Sequence, residues 1–191
     1  MTALRPAVID VNVLFSATIR DLLIRCHIAG IIRIHWTTHI LDETFIAIER
    51  ARPGLKLAQL QRTRDLMNKG ARGADVTDLV DEELVINETL APDLKDLHVV
   101  RAAAAIGADI VTWNLDDFPS RLLQPHGIVA MSPDQYLAEC VAFDSPAIRR
   151  VVALQAADLR NPPTSPEALV LRFSNQGLSK FTELLNRSEQ E

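Results

Sequence analysis

Cys26 and Cys140 are the only thiols in the chain, and they stand far apart, each inside an apolar helical pattern. This scarcity argues against a disulfide framework or a cysteine-built metal site, and reduced, partly buried thiols are expected instead. No run of eighteen apolar residues occurs, so no membrane-spanning helix is expected. The first residues pass straight into a strand-like run without the apolar core of a signal peptide, and a soluble, intracellular, cytoplasmic protein is the expectation. Internal repeats and low-complexity tracts are missing, as is any Ser/His/Asp or Cys/His grouping of the kind used in nucleophilic catalysis. Excess positive charge is lacking too. A net charge of −5 argues against a protein that coats nucleic acid non-specifically.

What is present is a chain of 191 residues, 48% of them apolar, enough for one ordinary domain with a modest extension. Its charge is segregated by sign. Arg50, Arg52, Lys56, Arg62, Arg64, Lys69 and Arg72 share residues 50–73 with a single acid, Asp65. Residues 75–96 reverse this balance, with Asp75, Asp78, Asp81, Glu82, Glu83, Glu88, Asp93 and Asp96 against Lys95 alone.

Taken in order, Ala7-Val8-Ile9-Asp10-Val11 reads as a buried strand with Asp10 at its C-terminal mouth, since an unpaired Asp inside a core is costly. Residues 13–30 read as one helix with Leu14, Leu22, Leu23, Cys26 and Ala29 on its apolar stripe, ended by Gly30. A short strand over 31–36 follows. Thr37 or Thr38 then caps a helix over 40–50 whose core face holds Leu41, Thr44, Phe45 and Ile48. Pro53-Gly54 breaks it, and Leu55, Leu57, Leu60 and Leu66 mark a further helix that carries the basic residues, so that two helices form an arm. An acidic connection with a short helix near 78–83 leads to Asp93 and Asp96 at the start of an apolar helix ended by Gly107. Ile110-Val111-Thr112-Trp113 is the next strand, followed by Asn114, Asp116 and Asp117, and Gly127-Ile128-Val129-Ala130 is a fourth. Ser132-Pro133-Asp134 caps a helix with Tyr136, Leu137, Cys140 and Val141 facing inward.

Composition changes at Asp144-Ser145-Pro146, which divides the chain into 1–143 and a helical extension over 144–191. The extension holds helices over 148–159, after Ser165-Pro166, and over 178–185. Its apolar stripe, Leu169, Leu171, Phe173, Leu178, Phe181, Leu184 and Leu185, must be buried, and packing on its own domain is expected. Alternating strands and helices imply a three-layer α/β/α domain around a parallel sheet.

In such a sheet, strand C-termini and helix N-termini share one edge, which can gather Asp10, Glu43, Asp96 and Asp117 from four places in sequence. Each acid also has a plain structural reading. Asp93 and Asp96 suit a helix cap, Glu43 a solvated helix face, and Asp116-Asp117 a turn. Asp10 resists this best, because strand propensity disfavours it within Ala-Val-Ile-Asp-Val. Gathered together, the carboxylates call for a cation.

The pattern resembles the PIN-domain ribonucleases, specifically the VapC-type toxins of toxin–antitoxin pairs. The resemblance rests on Val8-Ile9-Asp10-Val11-Asn12-Val13-Leu14, on residues 38–43, on Pro92-Asp93-Leu94-Lys95-Asp96-Leu97-His98-Val99 and on residues 107–119. It covers residues 5 to 140. The tail, with Leu159-Arg160-Asn161-Pro162-Pro163 and Gly177-Leu178, looks like the C-terminal extension of one VapC subgroup. The resemblance implies a PIN-like fold and a Mg²⁺- or Mn²⁺-dependent endoribonuclease with a small antitoxin as partner, commonly a homodimer. Asp10, Glu43 and Asp96 then stand at the first three metal-binding acids, with Asn114 at the fourth position and Asp117 close enough to assist. Val11 stands where a hydroxyl residue is frequent, which predicts one missing hydrogen bond near the metal.

A hard cation such as Mg²⁺ takes oxygen ligands and activates water toward a phosphodiester. The basic arm, with Arg50, Arg52, Arg62 and Arg64, is the candidate contact for flanking RNA phosphates, although a solvated helical face explains the same residues. His98, two residues beyond Asp96, reads as a local hydrogen-bonding residue. Two other functions stay open. A haloacid-dehalogenase-like phosphatase would use Asp10 as nucleophile but needs an acid where Asn12 stands. A degenerate PIN scaffold would bind RNA or a partner without cutting, in keeping with Asn114 and Val11.

Overall fold

A computed structural model describes residues 4–81 and 83–187. Chain order begins with β1 (Ala7–Ile9), α1 (Val11–Leu14), α2 (Ala17–Ile28), β2 (Ile34–His35), α3 (Thr38–Ala51) and α4 (Leu57–Gly70). After a connection containing short 3₁₀ turns come α5 (Leu97–Ile106), β3 (Asp109–Val111), α6 (Ser120–Leu123), β4 (Ala130–Met131), α7 (Pro133–Asp158), α8 (Pro166–Asn175) and α9 (Ser179–Arg187). The strands form one sheet in the order β2-β1-β3-β4, every pair parallel, with Val8 opposite His35 on one side and Ile110 on the other. From β1 the chain goes to one neighbour and then crosses back to the other. Right-handed crossovers therefore put the connecting helices on opposite faces, giving the α/β architecture with helices on both sides. The point where the direction reverses lies between the C-termini of β1 and β3.

The strands are short, and the central pair, β1 and β3, is wholly buried, as expected of a parallel sheet covered on both faces. Ala7, Val8, Ile9, Ile110 and Val111 pack with Leu22, Leu23, Trp36, Leu41, Val99 and Val100 into one apolar core. Thr37 accepts a hydrogen bond from Ile40 N and caps α3, whose buried face is Leu41, Thr44, Phe45 and Ile48 as the periodicity predicts. Gly107 ends α5 at φ 61°, a conformation that glycine adopts without steric cost. Both thiols are buried, and desolvation pushes that of Cys140 up to about 12 and that of Cys26 up as well, so neither is a reactive group.

Several local expectations are corrected. The single helix over 13–30 is two: the Ser16 hydroxyl accepts from Ile19 N and starts α2 afresh, and Ala29 lies exposed beyond its end. In α4 the buried residues are Leu60 and Met67, while Leu57 and Leu66 are exposed, because α4 lies on α3 and α2 with a different face from the one its leucines mark. The short helix near 78–83 is a 3₁₀ turn over Thr77–Leu79, and Glu82 lies outside the described residues. The fourth strand is shifted to Ala130–Met131, since Gln124–His126 forms a 3₁₀ turn that Gly127 closes.

α7 runs through the change in composition at residue 144. Asp144 leaves helical geometry, and its carboxylate accepts from Ala147 N at 2.9 Å, capping the second half of the helix. That second half buries Ile148, Val151 and Val152, Gln155 donates to the Thr18 carbonyl at 3.0 Å, and Asp158 pairs with Arg25 at 2.9 Å, fastening α7 to α2. Leu169, Phe173, Leu178, Phe181 and Leu185 are buried among α7, α8 and α9, so the extension packs on its own chain. Leu184 is partly buried against the core, and Leu171 is 61% exposed. Gly177 adopts φ 92° directly over Trp113, where an added Cβ would sit 3.1 Å from the ring, and this close approach seats the extension beside the exit of β3.

Candidate metal centre

Asp10 follows β1 and is the N-cap of α1, so its carboxylate is fixed by backbone geometry at the carboxyl edge of the sheet. It is only 6% exposed. One oxygen accepts from Val11 N at 2.7 Å, and the other from Asn12 Nδ2 at 2.6 Å and Thr112 Oγ1 at 2.7 Å. Thr112 Oγ1 in turn accepts from Asn12 Nδ2 at 2.9 Å and from Asn114 N at 3.0 Å, while Asn12 Oδ1 accepts from Trp113 N at 3.0 Å. This network ties the ends of β1 and β3 together at the reversal point. Burial raises the Asp10 pKa, against the lowering effect of the Thr112 and Val11 hydrogen bonds. Thr112 supplies a hydroxyl at this carboxylate although Val11 cannot.

Asp10, Glu43, Asp96 and Asp117 line one cleft of about 660 Å³, together with Asn12, Asp93 and Arg50. Glu43 comes from α3, Asp96 from the start of α5 and Asp117 from the 3₁₀ turn after β3. Asn114 reaches this group through Asp117, to whose carboxylate its side-chain amide donates. Asp93 caps the 3₁₀ turn before α5, accepting from Lys95 N at 2.9 Å, whereas the Asp96 side chain makes no capping bond. The structural reading of this pair thus holds for Asp93 and not for Asp96. Of the arm, Arg50 stands on the cleft wall, Arg64 pairs with Asp42, and Arg52 and Arg62 are exposed on the outer surface.

Asp96 carries the mark of the crowding. Its pKa is pushed up to about 6, first by desolvation and then by the charges of Asp10, Asp117, Asp93 and Glu43. Oxygen donors that repel one another in this way are the set a hard divalent cation relieves, so the residues present fit such an ion. The same shift sets a pH dependence. A carboxylate whose folded pKa lies above its unfolded value of 3.8 binds protons more tightly in the folded state, so metal-free stability falls as pH rises from about 4 through about 6. Full conversion of the shift would give about 3 kcal/mol, and partial exposure reduces this to on the order of 1 kcal/mol. Asp96→Asn is therefore expected to raise the melting temperature of the chelator-treated protein by about 2–4 °C at pH 7.5 and to leave it unchanged at pH 4. Calorimetric scans at both pH values check this, and an equal shift at both would refute the electrostatic cause.

Glu43 also faces two histidines. Its carboxylate lies 3.3 Å from Nε2 of His98 and 3.7 Å from Nε2 of His39, and the two imidazoles stack with centroids 4.1 Å apart. His98 does make the local bond expected of it, with Nδ1 2.6 Å from the Lys95 carbonyl, and burial lowers its pKa. Thr112 and His39 were not singled out in the sequence. The signals were a threonine ending an aliphatic strand and a His–Glu spacing of four along a helix.

Residues 133–187 match the family described as the VapC50 C-terminal domain. A curated relative, named "Putative ribonuclease VapC50" from Mycobacterium tuberculosis (strain ATCC 25618 / H37Rv), is 35% identical over 83 residues, or 43% of this chain and 49% of that protein. The match thus spans about half the length of that VapC50 relative. No solved structure matches the chain. Together with the α/β fold and its parallel sheet, these matches bear out the resemblance to VapC-type PIN ribonucleases with a C-terminal extension. Among the described residues no helix is long and apolar enough to cross a membrane.

Proposed function

We propose that the chain is a divalent-metal-dependent endoribonuclease, the cytoplasmic toxin of a toxin–antitoxin pair, with residues 1–143 supplying the nuclease and 144–191 the extension. The observation that carries this reading is the convergence of Asp10, Glu43, Asp96 and Asp117 on one cleft at the carboxyl edge of a parallel sheet. The ribonuclease name of the VapC50 relative supports it. Asp10, Asp96 and Asp117 would hold Mg²⁺ or Mn²⁺ with Asn114 at the fourth position, and Glu43 completes the acidic set. Bound there, the cation supplies the positive charge that makes water an effective nucleophile and offsets charge developing on the phosphodiester. The chain's own contribution is orientation: Thr112, Asn12 and Val11 N hold the Asp10 carboxylate in one rotamer at no cost in ordering when substrate arrives.

Arg50, on the wall of the cleft, is the phosphate contact nearest the acids, and Arg52, Arg62 and Arg64 extend the basic arm along which RNA would lie. The pairing of Arg64 with Asp42 leaves it a weaker candidate than Arg50. A homodimer and a small antitoxin complete the proposed assembly. Incubation of the full chain with end-labelled total RNA tests the reading. Fragments are expected with Mg²⁺ or Mn²⁺ and none with chelator. Intact RNA under both conditions, with RNA still bound, would favour a non-cutting scaffold, the reading that Asn114 keeps open.

A further inference from the structure

His39 precedes Glu43 by four residues on α3, one helical turn, so both side chains rise from the same face. His98, in the first turn of α5, stands opposite them. Each of the three residues offers one ligand atom, and these atoms all lie within 4.8 Å of one another. The two imidazole nitrogens approach different oxygens of the same carboxylate, at 3.7 and 3.3 Å. Ligands held tetrahedrally at about 2.0–2.1 Å from Zn²⁺ are about 3.3 Å apart, so the spacing suits a common coordination shell.

The orientation of His98 adds an independent observation. Its Nδ1 lies 2.6 Å from the Lys95 carbonyl, which can only accept, so in the neutral ring Nδ1 carries the proton and Nε2 keeps its lone pair. That Nε2 is buried and makes no hydrogen bond. A lone pair held 3.3 Å from a carboxylate oxygen, with no proton shared between them, is unfavourable unless something cationic lies close to both. An imidazole held through one nitrogen by a backbone carbonyl, with the other nitrogen free, is the usual arrangement of a metal-ligating histidine.

We propose that His39, Glu43 and His98 form a Zn²⁺ site distinct from the all-oxygen group, with Glu43 common to both. Two imidazoles and one carboxylate suit a borderline cation such as Zn²⁺ or Co²⁺, whereas Mg²⁺ prefers oxygen. Three protein ligands leave a fourth position open, and Glu43 stands on the wall of the cleft.

The test uses the full chain, stripped by chelator and then titrated with Zn²⁺ by calorimetry and with Co²⁺ by visible absorption. One equivalent of Co²⁺ is expected to give a tetrahedral spectrum that Zn²⁺ abolishes. His98→Gln and His39→Gln are each expected to weaken Zn²⁺ binding at least about 100-fold, while His126→Gln has no effect. His39 is exposed, so its variant keeps the test decisive even if the His98 variant folds poorly. Absence of Zn²⁺ binding, or binding indifferent to both His39 and His98, would overturn the proposal and reduce the cluster to a helix-to-helix ion pair. Because the readout is metal affinity, its failure leaves the ribonuclease reading standing, and loss of that reading leaves the Zn²⁺ site testable.

Discussion

Replacement of Asp10 by Asn is expected to lower metal-dependent RNA cleavage by at least about a thousandfold while the protein stays folded. The activity loss follows from removing a ligand charge, since a cation's electrostatic contribution to such a reaction is several kcal/mol and each 1.36 kcal/mol is tenfold in rate. The stability effect is smaller because two changes oppose one another. An amide has one accepting oxygen, so it cannot serve Val11 N on one side and Asn12 and Thr112 on the other, which costs about 1–2 kcal/mol of hydrogen bonding in a buried network. Against this, the substitution removes a desolvated charge whose pKa is already raised by burial. Single-turnover cleavage of labelled RNA beside a denaturant melt measures both quantities. Activity within tenfold of the parent in a folded variant would remove Asp10 from the metal site and with it the proposed chemistry.

Phe181→Ala is expected to destabilise the whole chain by about 3–5 kcal/mol, in a single transition. Phe181 is fully buried and meets Phe173 edge-on, with centroids 5.8 Å apart and planes at 80°. Its own backbone N–H, and that of Lys180, donate to the Asp134 carboxylate at 2.8 and 3.1 Å, so the first turn of α7 caps α9. Arg149 reaches back from α7 to the Leu185 carbonyl, and Gln176 receives a bond from Ser16 at 2.6 Å. A cavity at Phe181 thus loosens α9 from α7, and α7 from α2 beneath it. Urea melts followed by far-UV circular dichroism and tryptophan fluorescence check the magnitude and the cooperativity. Two separated transitions, the first felt at Trp113 beneath Gly177 and not at the buried Trp36, would mean that the extension is energetically independent.

Much of this architecture is legible in the sequence because it is encoded locally. Thr37, Ser132 and Ser165 cap helices through their own hydroxyls, Gly107 ends α5 in the left-handed conformation, and the aliphatic runs around Ile9 and Ile110 have no polar face to leave in water. An Asp at the end of such a run is forced to the sheet edge by its desolvation cost, so the position of Asp10 is encoded locally. Tertiary structure decided what depends on neighbours distant in sequence. Which face of α4 is buried is set by α3 and α2, not by the spacing of its own leucines. The hydroxyl that holds Asp10 comes from Thr112, one hundred and two residues away and adjacent only because β1 and β3 pair. Glu43 stands between the acids and the two histidines for the same reason: its helical turn supplies His39, but only the packing of α5 brings His98 across to meet it.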